Sequence, residues 1–113
     1  MKIVQERIEL KELKEMAANG FGNFVKAVVD VRDEIMAVDG ELHSDEQALL
    51  LEQGSQQNSL WGINLYPELT GDDFIEFDSM INLRPFQGNR SRGIDDPQIR
   101  QKIKVIVDKL VKK

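Results

Sequence analysis

The stretch that decides the fold is residues 60–97, which read LWGINLYPELTGDDFIEFDSMINLRPFQGNRSRGIDDP. Its alternating apolar and polar positions predict one strand over Leu60–Tyr66 and a second, longer strand over Phe74–Arg84. Pro85 ends the second strand, because proline has no N–H to donate to a neighbouring strand. The two strands are expected to pair as an antiparallel hairpin, and a basic loop between two glycines, residues 88–93, follows them.

Three helices are predicted outside these strands. Asp96 is the expected N-cap of a C-terminal helix, and Pro97 is its first residue, where a missing N–H costs nothing. A second helix is expected to begin at Ser44, whose side chain would form a capping box with that of Gln47. The third is predicted over Leu10–Asn19, where apolar residues recur three and four positions apart.

A first hairpin is predicted between the N-terminal helix and the helix at Ser44. Phe24–Val31 alternates between two sets of side chains that point in opposite directions, and Ile35–Asp39 supplies the second strand. Ile3-Val4 is expected to form a short edge strand.

These elements predict an α+β fold in the order α-β-β-α-β-β-α, with a four-stranded, largely antiparallel sheet built from two hairpins. The helix between the hairpins would lay the second and third strands parallel to each other. The helices are expected mainly on one face of the sheet, since each strand has one apolar side. The other face would carry polar side chains, which makes it the expected place for a functional site.

The composition is that of an ordinary globular protein, with 113 residues, 41% hydrophobic and 31% charged. The length predicts a single domain over residues 1–113. The absence of cysteine excludes disulfides and thiolate metal sites and fits a cytoplasmic location. The N-terminus shows no signal peptide, and no apolar run approaches the ~20 residues of a membrane span. The net charge of −5 argues against binding to nucleic acid, which requires a basic surface.

Five runs of the sequence resemble a family of small bacterial proteins, a domain-of-unknown-function family. They read VKAVVDVRDEIMAVDGELHSDEQALLLEQGS, LWGINLYPE, FIEFDSMINLRP, QGNRSRG and DDPQIRQKI, and together they cover roughly residues 8–108. The resemblance implies a prokaryotic, cytoplasmic protein of one domain. It implies no catalytic role, because the family has no assigned activity, and it does not choose between an enzyme and a binding module.

The basic loop is the first candidate site. Its glycines allow the backbone to approach an anion, Asn89 and Ser91 offer hydrogen bonds, and Arg90 and Arg92 can each hold a phosphate or carboxylate with two donors. Arg84, at the end of the preceding strand, completes the candidate anion-binding set. The alternative is an ordinary connection whose arginines pair with carboxylates of the protein itself.

A second candidate site lies on the strand that precedes the loop. Glu76 and Asp78 would project from one face of this strand, and Asp30 could join them from the first hairpin. Carboxylate oxygens are the ligands that Mg²⁺ and Mn²⁺ prefer, and such a pair could also serve as general acid and base. The alternative is a solvated sheet face on which the acids pair with Arg84 or Lys26.

The one histidine of the chain is the third candidate. His43 lies among acidic residues just before a predicted helix, so it could be a metal ligand or a proton carrier. The alternative is an exposed residue near a helix cap. A single histidine in a chain without cysteine is in itself a weak metal signal.

These observations predict a small intracellular binding or regulatory module with an anion-binding arginine loop. Its candidate partners are a small anionic ligand and a second copy of the chain, and neither a membrane nor nucleic acid is expected. The alternative is a metal-assisted phosphoester hydrolase, in which Glu76 and Asp78 hold Mg²⁺ or Mn²⁺ and Arg90 and Arg92 hold the phosphate. No other cofactor is indicated, and the sequence leaves open whether the protein is an enzyme. Both hypotheses require the acids and the arginines to line one cavity.

Overall fold

A computed structural model describes residues 1–113 and confirms the α+β class. The helices are α1, Leu10–Asn19; α2, His43–Glu52; and α3, Pro97–Leu110. The strands are β1, Lys2–Val4; β2, Ile8–Glu9; β3, Val25–Asp30; β4, Ile35–Val38; β5, Leu60–Leu65; β6, Ile75–Glu76; and β7, Val111–Lys112. Short 3₁₀ turns occupy residues 57–59, 71–73, 80–82 and 85–87. None of the three helices has both the length and the apolarity that a membrane crossing requires.

Several elements form where their local patterns predict them. α1 covers the predicted residues, and α3 begins at Pro97 with the side chain of Asp96 capping its first turn. β3 and β4 pair as the predicted hairpin. Its turn contains no glycine and is held by the Asp30 carboxylate, which accepts hydrogen bonds from the N–H groups of Arg32 and Asp33.

The main sheet has five strands rather than the predicted four, in the order β1-β4-β3-β5-β6, and all its pairs are antiparallel. The additional strand is β1, the predicted edge strand, which pairs with β4. α2 connects β4 to β5, which run parallel to each other with β3 between them. β2 and β7 form a separate parallel pair of two residues each, too short to leave an alternating pattern in the sequence.

The predicted long strand over Phe74–Arg84 is wrong, because only Ile75–Glu76 pairs with β5. After β6, a 3₁₀ turn follows Ser79, and the side chain of Asn82 makes the hydrogen bonds to β5 that a paired strand would make. The Asn82 amide accepts a hydrogen bond from the Gly62 N–H at 2.8 Å and donates one to the Gly62 carbonyl at 2.9 Å. Gly62 also allows Ser79 to pack against β5, since a Cβ on Gly62 would lie 2.5 Å from the Ser79 Oγ.

The start of α2 also differs from its prediction. The helix begins at His43, and the preceding Leu42 provides no side-chain cap, so the expected capping box between Ser44 and Gln47 is wrong. The His43 ring is hydrogen-bonded to the Ile63 carbonyl, which ties the first turn of α2 to β5. A tertiary contact therefore sets the helix start in place of a local cap.

The two faces of the sheet carry different cores. α1 and α3 contribute to a cluster of 19 buried apolar residues that includes Leu13, Val29, Ile63 and Ile106. α2 covers part of the opposite face, where the buried apolar cluster has four members, Val28, Ala37, Leu50 and Leu60. Two helices thus share one face, and the face that was expected to be open is covered in part by the third.

Candidate functional site

A cavity of about 380 Å³ lies where the N-terminus of α2 meets β3, β5 and the segment after β6. We call it the polar cavity after the polar residues in its wall, Lys26, His43, Ser44, Asn64, Glu76, Asp78, Ser79 and Arg92. It occupies the part of the second sheet face that α2 leaves uncovered. Both predicted acids, one predicted arginine and the histidine therefore line the same space.

His43 is a buried imidazole in the wall of this cavity. Its Nε2 lies 2.8 Å from the Ile63 carbonyl oxygen, and because a carbonyl can only accept, Nε2 carries the hydrogen. Burial lowers the pKa of His43, and Lys26 lowers it further, against the opposing effects of the Ile63 carbonyl, Asp78 and Asn64. The neutral ring then has its free lone pair on Nδ1, which can accept a hydrogen bond or a proton.

Asn64 contributes a buried acceptor without a partner. The residue is 7% exposed, and its amide nitrogen donates to Glu76 Oε1 at 2.9 Å and to the Asp78 carbonyl at 3.4 Å. Its Oδ1 is buried and accepts no hydrogen bond. An unsatisfied buried acceptor of this kind costs about 1–3 kcal/mol, and a donor that reached Oδ1 through a small movement of the cavity wall would offset that cost.

Charges of both signs meet in the polar cavity. Asp78 Oδ1 and Arg92 Nε are 2.7 Å apart in a partly exposed ion pair. Glu76 accepts a second hydrogen bond from the Tyr66 hydroxyl at 3.1 Å, and Lys26 lies across the cavity on β3. The wall therefore offers two cationic and two anionic side chains.

The structure separates the other members of the predicted arginine loop from this cavity. Arg84 is buried, stacks 4.0 Å over the Trp61 ring and donates to the carbonyls of Gln57 and Leu60. Burial lowers its pKa. Its guanidinium is thus engaged by the protein itself, while Arg90 is exposed and lines no cavity.

Asn89 and Ser91 hold the loop in shape. The Asn89 amide nitrogen donates to three carbonyls, and its Oδ1 accepts from the Asp95 N–H at 2.8 Å. The Ser91 hydroxyl donates to Asp95 at 2.6 Å and, with the Arg90 N–H, lowers the pKa of that carboxylate. Of the five residues predicted to bind an anion, only Arg92 faces the polar cavity.

The predicted metal ligands Glu76 and Asp78 share the polar cavity, but Asp30 does not join them. The Asp30 carboxylate accepts hydrogen bonds from the Ser55 hydroxyl at 2.6 Å and from its own turn. No group of three or more His, Asp or Glu side chains lies close enough to hold a metal ion. The structure therefore offers at most two carboxylates for a cation in this cavity.

A second, larger cavity of about 630 Å³ adjoins the first. We call it the aromatic groove; its wall includes Phe21, Phe24 and Met16, and it shares Phe24, Lys26 and Leu42 with the polar cavity. Phe21 and Leu42 were not predicted to be site residues. The available signal was two phenylalanines on either side of Gly22-Asn23, and this local pattern does not reveal that both rings line a cavity.

A family model described as "Protein of unknown function (DUF5674)" matches residues 2–110 and confirms the resemblance noted in the sequence. No curated protein matches the chain, and no solved structure matches it. The polar cavity and the aromatic groove are therefore the basis on which a function can be inferred.

Proposed function

Because the chain belongs to the DUF5674 family of proteins of unknown function, we propose a function from the polar cavity: the protein is a small-molecule binding module. Its ligand carries both an anionic group and a cationic hydrogen-bond donor, as a zwitterion does. The observation that carries this proposal is the unpaired Asn64 Oδ1, buried in a wall that holds side chains of both charge signs. A small intracellular binding module agrees with the absence of cysteine.

The anionic group of the ligand would meet Arg92, Lys26 and the N-terminus of α2. Arg92 uses only its Nε on Asp78, so its two terminal nitrogens remain available as donors. Ser44 lies in the first turn of α2, where the helix dipole favours an anion. This proposal keeps the predicted anionic ligand and assigns it to Arg92 rather than to the whole loop.

The donor group of the ligand would meet the opposite set of side chains. Asn64 Oδ1 is an unused acceptor, and Glu76 is held beside it by the Asn64 amide and the Tyr66 hydroxyl. His43 adds an acceptor at Nδ1 while its Nε2–H stays on the Ile63 carbonyl. An ammonium group, with three donors, satisfies several of these acceptors at once.

A second candidate function is the metal-assisted hydrolase. The specific observation in its favour is that Glu76 and Asp78 line the same cavity as Arg92. Mg²⁺ is commonly held by one or two carboxylates, several waters and a substrate phosphate, so two acids are enough in principle. In this alternative, Arg92 would hold the phosphate of the substrate.

The test is an NMR titration of the ¹⁵N-labelled protein with glycine, the smallest zwitterion that carries both groups. We expect saturable shift changes in residues around the polar cavity. Replacement of Arg92 by Gln should weaken binding about tenfold, because it removes a charge-assisted hydrogen bond. The matched control is Arg90→Gln, which removes the same charge from the same loop outside the cavity and should leave affinity within about twofold.

Two other outcomes would redirect the assignment. Equal weakening by Arg90→Gln and Arg92→Gln would favour the arginine loop over the cavity. Shifts that appear with MgCl₂ or MnCl₂, disappear in Asp78→Asn and persist in the surface control Asp33→Asn would favour the hydrolase. Asp33 suits this control because it also forms an exposed ion pair with an arginine, Arg32. If no zwitterion gives saturable shifts, the binding proposal is wrong.

A further inference from the structure

We propose that the aromatic groove is the second half of the same binding site, so that the ligand is a zwitterion with an aromatic side group. This inference rests on the proposed function and adds the class of the side group. The two cavities, about 380 Å³ and 630 Å³, are neighbours, since Phe24, Lys26 and Leu42 line both. A ligand that spans these three shared side chains would place one part in the polar cavity and another in the groove.

The groove presents a preformed surface for a ring. Phe21 and Phe24 stack with their centroids 4.8 Å apart and their planes 9° from parallel, and Phe24 lies 5.5 Å from the Tyr66 ring. Phe21 is 46% exposed, although an aromatic side chain of this size would ordinarily be placed in a core. A further aromatic ring can stack on this surface with little loss of conformational freedom by the protein.

The same rings connect the groove to the charged part of the site. The Tyr66 hydroxyl donates to Glu76, and Lys26 Nζ lies 5.0 Å from the centroid of Phe21. Lys26 lines both cavities, so one ammonium group is close to the stacking surface and to the polar wall. A carboxylate on Lys26 and a ring on Phe21 would thus belong to one small molecule, with the few bonds between them that an aromatic amino acid provides.

The charges around the groove argue against an aromatic ligand that is only anionic. Asp39 and Glu41 line the groove together with Lys26, and both are exposed carboxylates. An aromatic acid without an ammonium group would meet these carboxylates, Glu76 and Asp78 with no compensating cation of its own. A zwitterion avoids that repulsion.

The test compares four probes: L-phenylalanine, glycine, phenylacetate and 2-phenylethylamine. We expect phenylalanine to bind about tenfold more tightly than glycine, because stacking adds to the polar contacts. Phenylacetate and 2-phenylethylamine, which each lack one charged group, should bind more weakly than phenylalanine. Either of them binding as tightly as phenylalanine would overturn the assignment of a zwitterion.

Substitutions of Phe21 test whether the ring of the ligand binds in the aromatic groove. Phe21→Ala should reduce the preference for phenylalanine over glycine to about twofold or less, while Phe21→Leu, which keeps apolar volume, should retain part of it. The matched control is Phe86→Ala, since Phe86 is fully exposed and lines no cavity. Thermal melts of all three variants check that they are folded.

The outcomes separate the two proposals. If glycine and phenylalanine bind equally, or if Phe86→Ala has the same effect as Phe21→Ala, the aromatic groove is not part of the site, while the polar cavity remains the binding site. If neither amino acid gives saturable shifts, both proposals are wrong. If phenylalanine binds and glycine does not, loss of binding in Phe21→Ala supports the inference and unchanged binding overturns it.

Discussion

The two faces of the five-stranded sheet are stabilised by different kinds of interaction. The face under α1 and α3 buries 19 apolar residues in one cluster, whereas the face under α2 buries only four. The second face also buries polar side chains, which include Asp30, Glu46, Asn64 and Asn82. The first face is therefore stabilised mainly by burial of apolar surface, and the second depends more on individual hydrogen bonds.

This difference explains where the polar cavity lies. Apolar side chains can fill a face in many arrangements, but a buried polar group is stable only beside its specific partner. On the α2 face, some of those partners are incomplete, since Asn64 Oδ1 and Glu46 Oε1 are buried without a hydrogen bond. The face under α2 is therefore the one on which a ligand or a change of pH acts directly.

The largest expected effect concerns Glu46, whose carboxyl is fully buried between α2 and the segment that follows β4. Burial raises the pKa of Glu46 from 4.5 to about 9, although the Gly40 N–H donates to it at 2.9 Å. Between these values, the folded protein holds a proton that the unfolded chain has lost. The free energy of unfolding should therefore fall as pH rises, by up to about 1.4 kcal/mol per pH unit, or about 4 kcal/mol from about pH 5 to about pH 8.

Glu46→Gln cannot ionise and should lack this slope, so it should be more stable than the wild type at alkaline pH and similar to it below the unfolded pKa. Urea unfolding at a series of pH values measures the slope. The control is Glu52→Gln in the same helix, where the side chain is exposed and the slope should not change. A wild-type slope equal to that of Glu46→Gln would show that Glu46 is ionised in the folded protein.

The next effect belongs to the apolar face. Ile103 in α3 is fully buried in the large cluster, and Ile103→Ala should lower the free energy of unfolding by about 3 kcal/mol through lost burial and a cavity. Val105, two residues along the same helix, is 57% exposed, so Val105→Ala should change it by about 0.5 kcal/mol or less. Neither change should alter the pH slope, because neither residue touches the polar face. A loss below about 1 kcal/mol for Ile103→Ala would contradict this account of the first face.

The same contrast separates what the sequence could predict from what it could not. The apolar stripes of α1 and α3 and the alternation in β3 are local patterns, and these elements form where they were predicted. The prediction of a long strand was wrong because the side chain of Asn82, rather than a paired backbone, bonds to β5. This contact depends on Gly62, which lies twenty residues away in the sequence. The predicted start of α2 at Ser44 was wrong for a similar reason, since the contact of His43 with Ile63 is a tertiary one.

The candidate site was predictable to the same extent. Glu76, Asp78 and Arg92 lie close together in the sequence, and they line one cavity. His43 was a candidate by residue type, but its burial and its position beside Asn64 depend on how α2 crosses the sheet. The contribution of Phe21 was not predictable, because a single exposed aromatic residue has no local pattern that marks it as part of a cavity.

The smallest effect tests the polar face by its hydrogen bonds alone. Asn82 is fully buried and satisfies both backbone groups of Gly62 and the Arg92 carbonyl. Asn82→Ala removes these three hydrogen bonds, each worth about 0.5–1.5 kcal/mol net, so the free energy of unfolding should fall by about 2 kcal/mol. Asn23→Ala, at an exposed position, is the control and should change it by about 0.5 kcal/mol or less.

Asn82→Ala should also weaken glycine binding, because the amide of Asn82 holds the segment that carries Asp78 and Arg92 against β5. Ile103→Ala should leave the affinity for glycine unchanged when binding is measured under conditions in which this variant is fully folded. The two variants would then separate stability from binding. Ile103→Ala would lose more stability and keep its affinity for glycine, whereas Asn82→Ala would lose less stability and bind glycine more weakly. If both variants lost affinity in proportion to their loss of stability, the distinction between an apolar structural face and a polar binding face would fail.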